Sequence, residues 1–386
     1  MKNFTTTCPV CRADDAISAA VSHTFIGHKD FLPMKRAPSK LSQCNRCQTI
    51  YINGKNIFSE IEDIYHGEAY AKEKKTEHVV FEQKGTVSTS LRTTYSCFAE
   101  LIRKQIDTTT RKAPLKFLDI GCFDGKLLVE LKKDYPDATM HGFDVSDHVG
   151  AIFPKVADFA FYTGTLDNIQ WKYDAVLVVN VLAYIPDLPA FAEQINRLLS
   201  PGGFVFFVCA DARKNPYFLT CGDQYTFQTL VNLKNFWAHF GYSVELIDAE
   251  ISFPRNILGF ARRDAARSGV SYEKDDTLLV SLSYLACAAT ELQQAIVSHQ
   301  NHYPAGRIAV LGCSQNAAWA HNLMGAQISC FADENLNRVG RSFYGKTVVH
   351  PGQLTEEDLL LLPYGTTAKA LAEKFGKLYK AKVCAL

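Results

Sequence analysis

The sequence has almost no net charge. Its 41 basic and 40 acidic side chains leave +1, so bulk attraction to nucleic acid or to an anionic membrane finds no support. No apolar run reaches membrane-spanning length, and the opening Met-Lys-Asn-Phe-Thr-Thr-Thr-Cys8 lacks the apolar stretch of a secretory signal. Both absences set the expectation of a cytoplasmic protein without a membrane partner. Low-complexity runs and short repeats are missing as well, which excludes disordered and fibrous classes. No basic and aromatic stripe accompanies the cysteines, so a role as an RNA reader is also disfavoured.

What is present describes a globular chain. Apolar residues make up 47% and charged residues 21% of 386 residues, a length that serves about two to three domains. Of the 12 cysteines, eight are scattered singly, several inside apolar runs such as those around Cys209 and Cys330, where thiols are ordinarily buried and reduced. The other four form two pairs, Cys8-Pro-Val-Cys11 and Cys44-Asn-Arg-Cys47. Two such knuckles give four thiolates tetrahedral reach around one Zn²⁺. Iron in a four-thiolate site and a redox dithiol are the competing readings. Four protein ligands would close the site, making it structural. The 32 residues between the pairs must form a hairpin or loop, in which His23 and His28 are read as exposed rather than as ligands.

Four stretches follow: a zinc-binding module over 1–54, a helical connector or cover over 55–112, an α/β core over 113–272, and a linking helix with a smaller α/β unit over 273–386. Helix-like patterns in the connector fall at about 58–74 and 88–105. In the core, apolar runs such as Lys116-Phe-Leu-Asp-Ile120, Thr139-Met-His-Gly-Phe143, Asp174-Ala-Val-Leu-Val-Val179, Phe204-Val-Phe-Phe-Val208 and Ser243-Val-Glu-Leu-Ile247 alternate with amphipathic stretches. That alternation predicts a doubly wound, Rossmann-like sheet. A long apolar-patterned helix is expected over 275–299, and further strands at 307–311, 327–331, 347–349 and 358–362.

The first of these strands leads into Asp119-Ile-Gly-Cys-Phe-Asp-Gly125. A glycine turn between strand and helix lets the backbone approach a ligand, and the helix adds its N-terminal N–H groups. Gly121 and Gly125 serve that turn, and Asp119 ends the strand. Asp144, about twenty residues on at the end of the second strand, is placed to accept hydrogen bonds from ribose hydroxyls. Dinucleotide binding is disfavoured because Phe123 stands where that fingerprint has its middle glycine. The pattern instead matches the loop that cradles S-adenosylmethionine in class I methyltransferases. Asn180 ends the fourth strand, at the edge where open α/β sheets bind ligands. The loop from Thr163 to Asp167 is read equally as a surface loop or as a cover for the adenine ring, and Cys122 as a small packing residue.

The cysteine quartet, the segment Asp119-Ile-Gly-Cys-Phe-Asp-Gly-Lys-Leu-Leu128 and the segment Phe331-Ala-Asp-Glu-Asn-Leu-Asn-Arg-Val-Gly340 followed by Tyr344-Gly345 together resemble the sugar C-methyltransferase family. That family joins a zinc module, a methyltransferase core and a C-terminal α/β domain. The resemblance implies S-adenosylmethionine and Zn²⁺ as cofactors, a small-molecule partner such as a nucleotide sugar, and a tyrosine near the substrate, for which Tyr70 is the positional match. The family's Glu-His pair, thought to supply a base, corresponds here to Asp223-Gln224. Glutamine takes no proton, which leaves Asp223 as the candidate catalytic carboxylate. Methylation of carbon beside a carbonyl needs such a base. Methylation of oxygen or nitrogen in another small molecule, or a noncatalytic scaffold that keeps the fold, are the alternatives.

Overall fold

The computed structural model describes residues 7–22, 39–53, 65–71, 79–83, 89–107, 114–248, 253–264 and 270–386. At the N-terminus, β1 (Ala16–Val21), β2 (Ser39–Cys44) and β3 (Ile50–Asn53) form an antiparallel sheet. A single-turn helix α1 (Glu68–Ala71), the hairpin of β4 (Val79–Gln83) and β5 (Thr89–Thr93), and the helix α2 (Thr94–Asp107) follow. Of the helical pattern expected over 88–105, Thr89–Thr93 is a strand, and the helix begins at Thr94. The backbone N–H of Ser96 bonds to the Thr93 side chain at 3.1 Å, in the manner of an N-terminal cap. Most of the stretch 58–74 lies outside the described residues.

The central unit contains β6 (Lys116–Ile120), α3 (Lys126–Asp134), β7 (Thr139–Phe143), β8 (Phe159–Tyr162), β9 (Tyr173–Val179), α4 (Leu188–Leu198), β10 (Leu199–Ala210), β11 (Thr226–Phe227), α5 (Leu230–His239), β12 (Tyr242–Ile247) and β13 (Asn256–Arg263). Seven of these strands form one sheet in the order β12-β13-β10-β9-β6-β7-β8. All but β13 run parallel. The middle strands are buried on both faces, as parallel sheets require. Val176 and Val178 join the apolar cluster that contains the cysteine quartet, whereas Ala175 and Leu177 face the cluster under α2 and α3.

The remaining strand, β11, pairs with β3 instead, setting Thr226 opposite Tyr51 and Phe227 opposite Ile50. The N-terminal sheet is therefore completed by a strand of the central unit. Helix α6 (Thr277–His302) leads to a second parallel sheet of β14 (Ile308–Leu311), β15 (Cys330–Ala332), β17 (Lys346–Val349), β18 (Leu359–Leu362) and β19 (Lys382–Ala385), with β16 (Ser342–Phe343) antiparallel at its edge. The helices α7 (Gln315–Met324) and α8 (Ala368–Leu378) belong to it. The fold is thus mixed α/β, with a Rossmann-like core, an N-terminal cysteine cluster and an additional C-terminal sheet. No helix among the described residues is long and apolar enough to cross a membrane.

Candidate active site

At the end of β6 the chain makes a turn that glycine adopts cheaply. Gly121 and Gly125 have φ of +73° and +68°. A methyl group on Gly121 would stand 2.4 Å from Cγ2 of Val181, so the turn is pressed against the residue after Asn180. Phe123 between them also has a positive φ, +46°, an unfavourable conformation for a bulky residue. Its N–H donates to Oδ2 of Asp144 at 3.2 Å, and its ring meets that of Tyr70 edge-on at 5.2 Å. Oδ1 of Asp144 accepts the N–H of Ser146 at 3.1 Å. One buried carboxylate thus ties the glycine turn to the turn after β7.

Asp119 is buried within β6. Cys122 packs under the turn with its Sγ 2.7 Å from where a Cβ on Gly142 would lie. Burial, together with Asp119 and Asp144, pushes its thiol well up, which suits packing and not nucleophilic attack. In the 163–167 loop, Thr165 caps a short 3₁₀ turn and Gln194 bonds to Asp167.

Asn180, at φ +56°, sits where β9 ends, and its N–H donates to the carbonyl of Val208 at 2.8 Å. Beside it lies a cavity of about 230 Å³ at the carboxyl ends of β9 and β10. Asn180, Gln224, Gln228 and Asn256 contribute neutral amides to its wall, and Tyr184, Phe218 and Phe227 contribute rings. Among the described residues, no carboxylate, ammonium or guanidinium group lines it. Arg255 stands one position before Asn256 and carries its guanidinium over the ring of Tyr364, from the C-terminal unit, at 5.5 Å.

A row of aromatic rings joins this cavity to the glycine turn. Tyr65 meets Tyr70 edge-on at 5.5 Å and Tyr184 at 5.1 Å. The Tyr65 hydroxyl donates to Oδ2 of Asp223 at 2.8 Å, and Asp223 is wholly buried. Burial above all, then the neighbouring Tyr184 and Asp223, holds the Tyr65 phenol well above its ordinary range, so it remains a proton donor. Gln224 donates from Nε2 to the hydroxyl of Tyr184 at 3.4 Å. Sequence reasoning named Asp223 and Tyr70 but missed Tyr65. The structure brings Tyr70 against Phe123 and gives the Asp223 contact to Tyr65. A carboxylate and a phenol that share a hydrogen beside a neutral cavity can perform general acid and base chemistry.

Cys8, Cys11, Cys44 and Cys47 converge with all four sulfurs within 4.8 Å of one another. The Cys8–Cys47 and Cys11–Cys44 separations are 3.4 and 3.5 Å, close to the edge of about 3.8 Å of a tetrahedron with metal–sulfur bonds of about 2.3 Å. Val10 N–H points to Cys8 Sγ at 3.4 Å, and the Thr49 hydroxyl lies 3.1 Å from Cys47 Sγ. Buried sulfurs with nearby hydrogen-bond donors suit thiolate ligands of a closed structural site. His23 and His28 lie outside the described residues.

Residues 94–247 match the family model described as a methyltransferase domain, a span that runs from α2 to β12. A ubiquinone biosynthesis O-methyltransferase from Thiobacillus denitrificans is 28% identical over 155 residues, which are 36% of this chain and 64% of that relative. The chain thus matches slightly less than two thirds of the length of that curated relative. Among solved structures, the plantazolicin methyltransferase BpumL in complex with a triazolic desmethylPZN analog and SAH aligns with a TM-score of 0.38 at 17% identity, over 44% of this chain and 86% of that one. A methyltransferase in complex with the Trm112 activator of Haloferax volcanii gives a TM-score of 0.35 at 16% identity, over 45% and 100% of the two chains.

Proposed function

We propose that the protein is an S-adenosylmethionine-dependent methyltransferase acting on a small carbohydrate-like acceptor, free or nucleotide-linked, whose methylated part is an uncharged, hydroxyl-bearing group of about the size of a sugar ring. The observation that carries this reading is a neutral cavity lined by Asn180, whose neighbour in sequence, Val181, packs against the glycine turn. The match of residues 94–247 to a methyltransferase domain supports the cofactor.

In this reading Gly121, Gly125 and the Asp144 carboxylate hold the cofactor, with Asp119 and Asn180 at the strand ends. The cofactor supplies an electrophilic methyl group on a sulfonium. The chain's own part is to position the acceptor, to exclude water and to move a proton. The four amides suit an acceptor that offers several hydroxyl donors and acceptors without charge. Asp223 stands behind this wall, next in sequence to Gln224, and with Tyr65 bound to it is the carboxylate we assign to take the proton that an acceptor carbon or hydroxyl loses. Arg255 on Tyr364 supplies a cation at the seam with the C-terminal unit, as a phosphate-bearing acceptor would require. The four-cysteine site holds Zn²⁺ and takes no part in the chemistry.

The test is calorimetric titration with S-adenosylmethionine, followed by a screen of nucleotide-linked and free sugars, including keto-sugars, using a methyl-labelled cofactor. Product NMR identifies the methylated atom. Absence of cofactor binding would remove the reading. Tight cofactor binding with no transfer to any acceptor would leave the noncatalytic scaffold in its place.

A further inference from the structure

We infer that the four-cysteine module is a positioning element for the acceptor cavity: metal held by the cysteines fixes strand β11 and, through it, the wall that carries Gln224, Phe227 and Gln228. The inference rests on the reading of that cavity as the acceptor site.

The argument begins with β11 itself. Two residues, Thr226 and Phe227, are too few to form a strand that supports itself. Their partners lie in β3, and the ladder is extended by Ile52 N–H donating to the carbonyl of Tyr225 at 3.1 Å. Strand β3 starts three residues after Cys47, and β2 ends on Cys44, so the second knuckle is the turn between the two strands. That knuckle is closed by Gln48 N–H to the Cys44 carbonyl at 2.9 Å and by Cys44 N–H to the Thr49 carbonyl at 3.0 Å. The cysteines thus sit at the hinge of the hairpin on which β11 leans. Phe227 and Gln228 then line the cavity directly, and Asp223 lies three residues before β11.

A second tie runs from the same knuckle. Asn235 on α5 donates from Nδ2 to the carbonyl of Cys47 at 3.2 Å and to that of Glu273 at 2.8 Å, and accepts the Glu273 N–H at 2.9 Å. Gln48 accepts the N–H of Asp275 through Oε1 at 3.2 Å. The segment leading into α6 is therefore held by the knuckle as well. By contrast, the bonds described for the glycine turn, Gly121 N–H to the Phe143 carbonyl and Phe123 N–H to Asp144, stay within residues 121–144. Metal occupancy should accordingly act on the acceptor wall and spare the cofactor turn.

The experiment uses the full chain, loaded with zinc or stripped by a chelator, with metal content measured by mass spectrometry. Hydrogen exchange is followed in peptides covering 222–230 and 116–146, alongside calorimetric titration with S-adenosylmethionine. On metal removal, exchange in 222–230 is expected to rise at least about tenfold, while exchange in 116–146 and cofactor affinity change less than about twofold, with both restored by added zinc. Unchanged protection in 222–230, or an equal loss in both regions, would overturn the inference. Asn235→Ala keeps all four thiolates and guards against a chain that simply unfolds. It is expected to retain one metal per chain, to raise exchange in 222–230 and 271–276, and to raise KM for the acceptor while KM for the cofactor stays level. Wild-type exchange in that variant would also overturn the inference. A metal-loaded chain that binds no cofactor would remove the methyltransferase reading, and the exchange data alone would then decide the coupling.

Discussion

Tyr65 and Asp223 lie 158 positions apart in sequence, yet the phenol of the half-buried tyrosine donates to the wholly buried carboxylate at 2.8 Å. The bond connects the stretch before the central sheet to the segment that walls the cavity. A residue that only packs would tolerate loss of its hydroxyl with little effect on chemistry. A residue that steers a proton would not.

Tyr65→Phe keeps the ring contacts with Tyr70 and Tyr184 and removes the hydroxyl that donates to Asp223. On the proposed function, kcat is expected to fall by roughly tenfold to a hundredfold, which corresponds to about 1.4 to 2.7 kcal/mol, with cofactor affinity unchanged. Asp223→Asn is expected to fall further. Steady-state kinetics checks both, and a variant Tyr65→Phe with wild-type kcat would sink the assignment.

The contrast between Tyr65 and Tyr70 shows what the sequence could and could not disclose. The strand runs at 116–120, 139–143 and 204–208 were legible because apolar residues buried on both sheet faces leave continuous runs. The turn was legible because positive φ demands glycine at Gly121 and Gly125. The cysteine quartet was legible from spacing alone. Nothing local, however, tells which of two tyrosines five residues apart reaches a carboxylate brought in from residue 223. Strand β11 was invisible for a related reason: two residues have no periodicity, and their strand character is conferred by β3. The hairpin strand β5, Thr-Ser-Leu-Arg-Thr, lacks apolar alternation and so merged with the helix that follows it.

The closeness of Gly121 to Val181 supports an independent test. Gly121→Ala adds a methyl group at 2.4 Å from Cγ2 of Val181, on a backbone at φ +73°. The expected cost is about 2 to 3 kcal/mol, combining overpacking with the left-handed conformation. Adding Val181→Ala should return the overpacking share and leave the backbone share. Thermal melts of the single and double variants measure both, and additive effects would contradict the contact.

His141 makes stability depend on pH. It is buried, with Nδ1 2.8 Å from the hydroxyl of Tyr173 and its ring edge-on to Trp171 and Tyr162. Burial first, and then Lys116, pulls its pKa down to about 4 from 6.5. Between those two values the unfolded chain binds the proton and the folded chain does not, so stability declines as pH is lowered from about 6.5 towards 4 and is unaffected by this group above that window. The loss at the lower end is expected to be about 2 kcal/mol, allowing for local relaxation. His141→Gln should lose correspondingly less between pH 7 and pH 4.5 in denaturant titrations, and an identical decline in the variant would exclude His141 as the cause.

Asp144 combines two duties that a pair of variants can separate. Its carboxylate holds the Phe123 and Ser146 N–H groups, and on the proposed function it also meets the ribose of the cofactor. If holding the turn were its whole purpose, relieving the turn's strain should compensate for its loss, since glycine adopts the φ of +46° without a penalty. Phe123→Gly alone is therefore expected to bind S-adenosylmethionine about as well as the wild type. Asp144→Ala is expected to weaken binding by about 1 to 3 kcal/mol, the scale of hydrogen bonds lost to a buried charged acceptor. The double variant Asp144→Ala with Phe123→Gly decides between the duties: affinity that stays low assigns the carboxylate to the ligand, and affinity that recovers assigns it to the turn. Direct ligation should leave the double variant as weak as Asp144→Ala, because no backbone freedom at position 123 supplies an acceptor for two hydroxyls.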